Sequence, residues 1–374
     1  MLKKLFLPLV IIWLGTVVNA QSEHALRSPD RRIEVKVRTA DRISYSVLLN
    51  GKVLMQDSTL SINIDHDVLG LNPKVKSTKE GHVDQQITPP IHQKSATIHE
   101  NYNELRLEME GNYAVVFRAY NEGVAYRFET TLPKRGVKVY NEEAGFNFAE
   151  NYSAYYPQEE SFFSHNERDF LRLQLNDIKA DTIASLPAVI DAQGVAKIAI
   201  GESDVEDYPG LWLRGNGNNS LSAIFPPYPL EEKLTRDRDF KITRNAEYIA
   251  STKGSRTFPW RILGIAEKDG DLITNQLVYL LATPSKIQDT SWIKPGKVAW
   301  DWWNANNVDG VDFKSGINTQ TYKYYIDFAS KYGLEYIILD EGWYKPGDLM
   351  TVAPGMNIEE LTAYAKQKNV GIIL

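Results

Sequence analysis

Two short clusters combine carboxylates with tryptophan side chains and are the strongest candidates for chemistry. They are the stretches 301–304 (DWWN) and 340–343 (DEGW). Carboxylates accept hydrogen bonds from sugar hydroxyl groups, and an indole offers a flat apolar face on which a pyranose can stack. The alternative is that Trp302 and Trp343 fill apolar space while the acids cap neighbouring helices.

A third polar cluster, 164–169 (SHNERD), contains Glu167. A carboxylate on a loop can ligate a hard cation such as Ca²⁺. The alternative is a solvated charged loop, and the residues alone favour this alternative. The His residues are scattered without paired spacing, and neither a Gly-rich phosphate loop nor a GxSxG motif occurs. The sequence has no Cys, which excludes thiolate chemistry and Cys-ligated zinc.

The charge balance argues against nucleic-acid and membrane-surface partners. The formal net charge is −6, and charged residues make up 24% of the chain. No basic face or polybasic patch is evident.

The elements that position the two tryptophan clusters are short apolar runs typical of buried parallel strands. Residues 297–300 and 336–339 precede the clusters, and 371–374 begins a third run. Helices are predicted between them, one beginning near Asn318 or Thr319 and one after Asn357. The order β-loop-α-β-loop-α-β predicts a parallel sheet, in which functional residues lie at the carboxyl ends of the strands.

The preceding region, from about Arg31 to Leu281, shows strand patterns. Apolar and polar residues alternate in 33–37, 105–109 and 124–128, with turn residues between such runs. This pattern predicts a large antiparallel β-sandwich.

Residues 1–20 have the pattern of a signal peptide. Lys3 and Lys4 precede an apolar run, and Val18-Asn19-Ala20 supplies small residues for cleavage. No Cys follows for lipid attachment. We therefore expect an exported, periplasmic protein without a membrane anchor.

Several stretches resemble glycoside hydrolase family 97, a family of exported α-glycosidases. The matching stretches are 28–30 (SPD), 126–128 (YRF), 258–261 (FPWR), 291–296 (SWIKPG), 300–304 (WDWWN), 321–329 (TYKYYIDFA) and 340–343 (DEGW). The resemblance implies a galactose-mutarotase-like β-supersandwich followed by a (β/α)₈ barrel. It also implies release of terminal α-linked galactose or glucose from oligosaccharides, with Ca²⁺ in the active site.

The resemblance also suggests roles for individual residues. Glu341 matches a glutamate that binds sugar hydroxyls, Trp302 and Trp303 fall in an aromatic wall, and Glu167 matches a Ca²⁺ ligand. The candidate substrate-binding residues are Asp301, Trp302, Trp303, Asn304, Asp340 and Glu341. The residues of the DEGW and SWIKPG stretches favour the retaining, α-galactosidase-like branch.

We predict a sandwich domain over 21–288 and an incomplete barrel over 289–374. A (β/α)₈ barrel needs about 250 residues, so only its first three strands fit. We therefore expect the natural protein to continue, with both catalytic carboxylates beyond residue 374, and the 374-residue chain to be inactive and poorly stable. The alternatives are a small three-stranded α/β appendage and, for function, a non-catalytic carbohydrate-binding β-sandwich with a vestigial barrel piece.

Overall fold

A computed structural model describes residues 22–91, 93–235 and 239–374. The predicted signal peptide, 1–20, lies outside the described residues. None of the helices in the described ranges is long and apolar enough to cross a membrane.

The described residues form two compact units. The first comprises 22–87, 98–228 and 247–283, and the second comprises 88–91, 93–97, 229–235, 239–246 and 284–374. The predicted domain ranges, 21–288 and 289–374, stay a prediction.

The strands of the first part of the chain are β1 (Ser22–Arg27), β2 (Ile33–Thr39), β3 (Ile43–Leu49), β4 (Lys52–Ile64), β5 (Asp67–Leu69), β6 (Val75–Ile87), β7 (Ile98–Met109), β8 (Tyr113–Tyr120), β9 (Gly123–Thr131), β10 (Val137–Asn147), β11 (Ser153–Glu159), β12 (Phe170–Gln174), β13 (Ile183–Ala184), β14 (Ala188–Asp191), β15 (Lys197–Ser203), β16 (Trp212–Gly215) and β17 (Ser220–Ile224). A single 3₁₀ turn, Leu175–Asp177, follows β12.

The later elements are β18 (Pro229–Leu234), β19 (Phe240–Asn245), β20 (Ala250–Thr252), β21 (Ser255–Thr257), β22 (Trp260–Ala266), α1 (Asp269–Thr274), α2 (Leu277–Leu280), β23 (Val298–Trp300), α3 (Thr319–Tyr332), β24 (Tyr336–Ile338), β25 (Tyr344–Lys345), β26 (Asp348–Val352), α4 (Ile358–Gln367) and β27 (Gly371–Ile373). A 3₁₀ turn, Asp301–Asn304, follows β23.

The first unit consists of two antiparallel sheets. One has the order β1-β2-β3-β4-β10-β17-β16-β13, with β5 and β20 pairing at its margins. The other has the order β6-β7-β8-β9-β22-β15-β14-β11-β12, with β21 beside β9. Strand β11 also pairs with β13 and so joins the two sheets.

The sandwich core lies where the apolar faces of these sheets meet. Strand β2 alternates buried and partly buried residues along its whole length, as the period of two in a strand requires. Val35 and Val37 belong to the same buried cluster as Leu107, Phe117 and Tyr126 of the other sheet. The predicted antiparallel sandwich is therefore confirmed.

The strand prediction is wrong at the end of this region. Residues 269–274 and 277–280 form the short helices α1 and α2. Leu277 and Leu280 are three residues apart and face one side of α2, where they join a buried cluster with Trp260 and Ile262. The helix α2 thus packs onto the sheet, whereas α1 has no buried residue.

The second unit contains the predicted parallel sheet, with strand order β23-β24-β27. Its core includes Tyr322, Ile326 and Ala329 of α3 together with Ile337 of β24. The Asn318 side chain accepts a hydrogen bond from the backbone N–H of Thr321 and caps α3, so the predicted start of this helix is confirmed. The Asn357 side chain caps α4 in the same way.

Candidate active site

The structure brings the two tryptophan-containing clusters to one edge of the parallel sheet. Trp300 lies opposite Ile338 in the register of β23 and β24. Because these strands are parallel, the residues that follow them emerge at the same edge. Clusters 301–304 and 340–343 therefore follow adjacent strands at this edge.

The Asp340 carboxylate connects the second cluster to Trp300, the residue that precedes the first cluster. The indole Nε1–H of Trp300 donates to Asp340 Oδ2 at 2.9 Å, and the backbone N–H of Glu341 donates to Asp340 Oδ1 at 2.8 Å. Both carboxylate oxygens are therefore engaged by the chain itself.

Asp301 lies beneath the surface of the site, with 1% of its area exposed. The hydroxyl of Tyr322 on α3 donates a hydrogen bond to Asp301 Oδ2. Burial raises the pKa of Asp301, and the negative charge of Asp340 acts in the same direction. Asp301 thus ties the end of β23 to α3, a role that its position in the sequence did not indicate.

The exposed part of the site is dominated by tryptophans. Trp302 and Trp303 have 62% and 76% of their areas exposed. Trp300, which was not among the candidate residues, has its ring centroid 5.9 Å from that of Trp302 and 6.0 Å from that of Trp303. Trp343 instead is partly buried against the core of the second unit. For this residue, the alternative that the tryptophan fills apolar space describes the structure.

Asn304 closes the 3₁₀ turn and is held by two contacts. Its side-chain oxygen accepts a hydrogen bond from the Tyr325 hydroxyl, and its amide nitrogen donates to the carbonyl of Asn307 at 2.8 Å. The next residue, Ala305, has a left-handed backbone with φ of 53°. These features fix the turn that carries Trp302 and Trp303.

Glu341 is an exposed residue on the turn between β24 and β25. Gly342 follows it with a φ of +98°, and a Cβ there would lie 2.3 Å from Cδ1 of Ile317. The positive φ favours glycine at this position, because a side chain there would be strained. The Gly in the DEGW stretch therefore shapes the turn that presents Glu341.

Glu167 lies exposed on a loop of the first unit. The neighbouring Glu159 carboxylate anchors this loop by accepting hydrogen bonds from Ser164 at 2.6 Å and from Arg168 at 2.8 Å. A carboxylate suits Ca²⁺, but the ion takes six to eight oxygen ligands. Within the described ranges, no group of three or more His, Asp or Glu residues is placed to hold a metal ion. The calcium site stays a prediction, with Glu167 as one ligand.

Comparison with known protein families gives matches in both parts of the chain. Residues 26–284 match the family described as Glycosyl-hydrolase 97 N-terminal, and residues 302–374 match the family described as Glycoside hydrolase 97.

Two curated relatives are α-galactosidases by name. The Retaining alpha-galactosidase of Bacteroides thetaiotaomicron is 39% identical over 388 residues, which cover 100% of this chain and 58% of the relative. The Probable retaining alpha-galactosidase of Streptomyces bingchenggensis is 24% identical and covers 93% of this chain and 51% of the relative. The chain thus spans little more than half the length of these relatives.

Solved structures confirm the fold. A Glycoside Hydrolase Family 97 enzyme from Pseudoalteromonas sp. strain K8, in complex with acarbose, has a TM-score of 0.78 at 24% identity, covering 93% of this chain and 53% of that chain. A beta-arabinopyranosidase has a TM-score of 0.76 at 21% identity, with coverages of 93% and 55%. The predicted sandwich followed by the first strands of a barrel is confirmed.

Proposed function

The chain belongs to glycoside hydrolase family 97, and we propose that it is part of an exported, periplasmic α-glycosidase. Its proposed substrates are oligosaccharides with a terminal α-linked galactose or glucose. The 39% identity to a protein named Retaining alpha-galactosidase supports galactose over glucose and retention over inversion.

The observation that carries the proposal is the exposed aromatic surface at the carboxyl edge of the parallel sheet. Barrel enzymes build their active sites at this edge. Trp302 and Trp303 present flat apolar faces to solvent, and the exposed carboxylate of Glu341 follows the neighbouring strand. A pyranose has both an apolar ring face and a rim of hydroxyl groups, which match these two kinds of side chain.

We assign sugar stacking to Trp302 and Trp303 and acceptance of hydrogen bonds from sugar hydroxyls to Glu341. Hydrolysis needs two further carboxyl groups flanking the bond, about 5–5.5 Å apart for retention and about 6.5–9.5 Å apart for inversion. Their expected location beyond residue 374 stays a prediction.

Calcium is part of the same proposal. Glu167 would be one of its ligands, and a bound Ca²⁺ would supply positive charge that attracts oxygen atoms of the substrate. The chain's own contribution is the Glu159 anchor, which limits the positions that the loop carrying Glu167 can adopt.

The test is hydrolysis of aryl α-galactoside and aryl α-glucoside by the full-length natural protein, with Ca²⁺ and after chelation. We expect nitrophenol release with Ca²⁺ and a loss of at least about tenfold in kcat/KM for Glu341→Gln. Glycan binding without turnover of either substrate would instead support the non-catalytic carbohydrate-binding alternative.

A further inference from the structure

We propose that Asp340 is a positioning residue and that Trp300, which it orients, is a third stacking residue of the carbohydrate site. This inference rests on the proposed function. It changes the expected role of Asp340, from a direct contact with sugar to support of the aromatic surface.

Other groups of the chain donate hydrogen bonds to both oxygens of the Asp340 carboxylate. One accepts the indole N–H of Trp300 at 2.9 Å, and the other accepts the backbone N–H of Glu341 at 2.8 Å. Hydrogen bonds to an ionised carboxylate are stronger than those between neutral groups. These two bonds hold the Asp340 carboxylate in place, and each oxygen keeps a second lone pair.

The indole of Trp300 has only one polar atom. Its Nε1–H is a donor and nothing else, so the bond to Asp340 fixes which edge of the Trp300 ring points inward. The apolar ring is then left partly exposed, at 40% of the residue's area. An indole held at one edge in this way resists rotation about its side-chain bonds.

Trp300 lies beside both Trp302 and Trp303. The Trp300 and Trp302 rings are stacked with an interplanar angle of 30°, and Trp303 is tilted by 54° to Trp300. Rotation of Trp300 would remove the ring against which Trp302 rests. Asp340 therefore acts on the shape of the whole aromatic surface.

The inference is tested first by the indole N–H signals of the full-length natural protein labelled with ¹⁵N at tryptophan. The Trp300 signal is the one that disappears in Trp300→Phe. We expect Asp340→Asn to shift this signal and to speed its exchange with solvent. An unchanged Trp300 signal in Asp340→Asn would overturn the proposal.

Asp348→Asn provides a matched control. The Asp348 carboxylate also accepts two hydrogen bonds within the second unit, from the backbone N–H of Met350 at 3.1 Å and from the Thr351 hydroxyl at 2.6 Å. The Trp300 signal should stay in place in this variant. A shift as large as that in Asp340→Asn would mean that the signal reports general loosening, and it would contradict a specific bond.

The second test is binding of methyl α-galactoside, followed through the remaining indole signals. We expect Trp300→Phe and Asp340→Asn each to weaken binding by about tenfold. If Asp340 acts through Trp300, the double variant should bind no more weakly than Trp300→Phe alone. Losses that multiply would show that Asp340 contacts the sugar independently, and the positioning role would then be wrong.

Glu341→Gln separates this inference from the proposed function. It should weaken sugar binding while leaving the Trp300 signal unchanged, because its backbone N–H still donates to Asp340. If the unmodified full-length protein showed no response to the sugar, the proposed function would be contradicted. The Trp300 signal in Asp340→Asn would still decide whether Asp340 positions the indole.

Discussion

The buried network around Arg261 in the first unit and the exposed sheet edge of the second unit use carboxylates and aromatic rings in opposite ways. In the first unit, Arg261 has 1% of its side chain exposed and binds both Glu142 and Glu202 at 2.7 Å. Tyr208 donates a further hydrogen bond to Glu142 at 2.9 Å. In the second unit, Trp302, Trp303 and Glu341 are exposed at the end of a sheet.

The difference shows how burial decides the role of the same residue types. A charge removed from water needs partners for nearly all its polar atoms, so the groups around Arg261 are already satisfied and have little to offer a ligand. The carboxyl edge of the second unit keeps apolar rings and a carboxylate at the surface. The first arrangement supports the sandwich, and the second suits a ligand.

The largest expected effect comes from breaking the buried network with Arg261→Met. Two carboxylates would remain in the interior without their cation, and loss of one partner of a buried ion pair costs about 3–5 kcal/mol. We expect that loss in the free energy of unfolding, measured by urea titration with circular dichroism.

Arg244→Met is the matched control, because the Arg244–Glu231 pair has more than half of both side chains exposed. Exposed pairs contribute less than about 1 kcal/mol. Equal losses in the two variants would contradict the distinction between buried and exposed charges.

An intermediate effect is expected from Trp302→Ala and Trp303→Ala. Because both rings are largely exposed, the free energy of unfolding should change little, whereas sugar affinity should fall at least about tenfold. Calorimetry with methyl α-galactoside measures this loss.

Trp292→Ala provides the control, since Trp292 is similarly exposed, at 68% of its area, and lies outside the cluster of Trp300, Trp302 and Trp303. The same loss of affinity in Trp292→Ala would show that the aromatic surface is not the binding site.

The smallest effect concerns the pH dependence of stability. Burial acts to raise the pKa of Glu159, but hydrogen bonds from Ser164, Arg168 and Ser185 outweigh it and leave the pKa lowered. The contribution of ionised Glu159 to the free energy of unfolding is fully present above the pKa of this residue in the unfolded chain. It is lost as the pH falls through the lowered pKa of the folded state. The pKa of Asp301 is raised, chiefly by burial, so its contribution is full in acid and is lost as the pH rises through the raised value.

The free energy of unfolding, measured as a function of pH, separates the contributions of Glu159 and Asp301. Glu159→Gln should reduce the loss of stability on the acid side, and Asp301→Asn should reduce the loss that occurs as the pH rises above the usual range of an aspartate. A shift of the same sign in both variants would contradict the opposite pKa directions.

Sequence patterns predicted most of the regular structure for physical reasons. Alternation in 33–37 and 105–109 identified strands because successive side chains of a strand point to opposite faces. Asn318 and Asn357 marked helix starts because their side chains can accept the first unpaired backbone N–H groups. The short α1 and α2 were missed. Leu277 and Leu280 of α2 pack against Trp260 and Ile262 of β22, a contact that the local pattern does not specify, whereas α1 has no buried residue.

The sequence by itself determined the fold class and the edge of the sheet at which the site lies, because periodicity and the order of elements are local properties of the chain. The resemblance of its motif stretches indicated the family. Only the tertiary structure distinguished the residues within the two clusters. It buried Asp301 under Tyr322, engaged both oxygens of Asp340, and added Trp300 to the exposed rings. The contacts of Asp301 with Tyr322 and of Asp340 with Trp300 join residues about twenty and forty positions apart, which adjacent letters in a sequence do not specify.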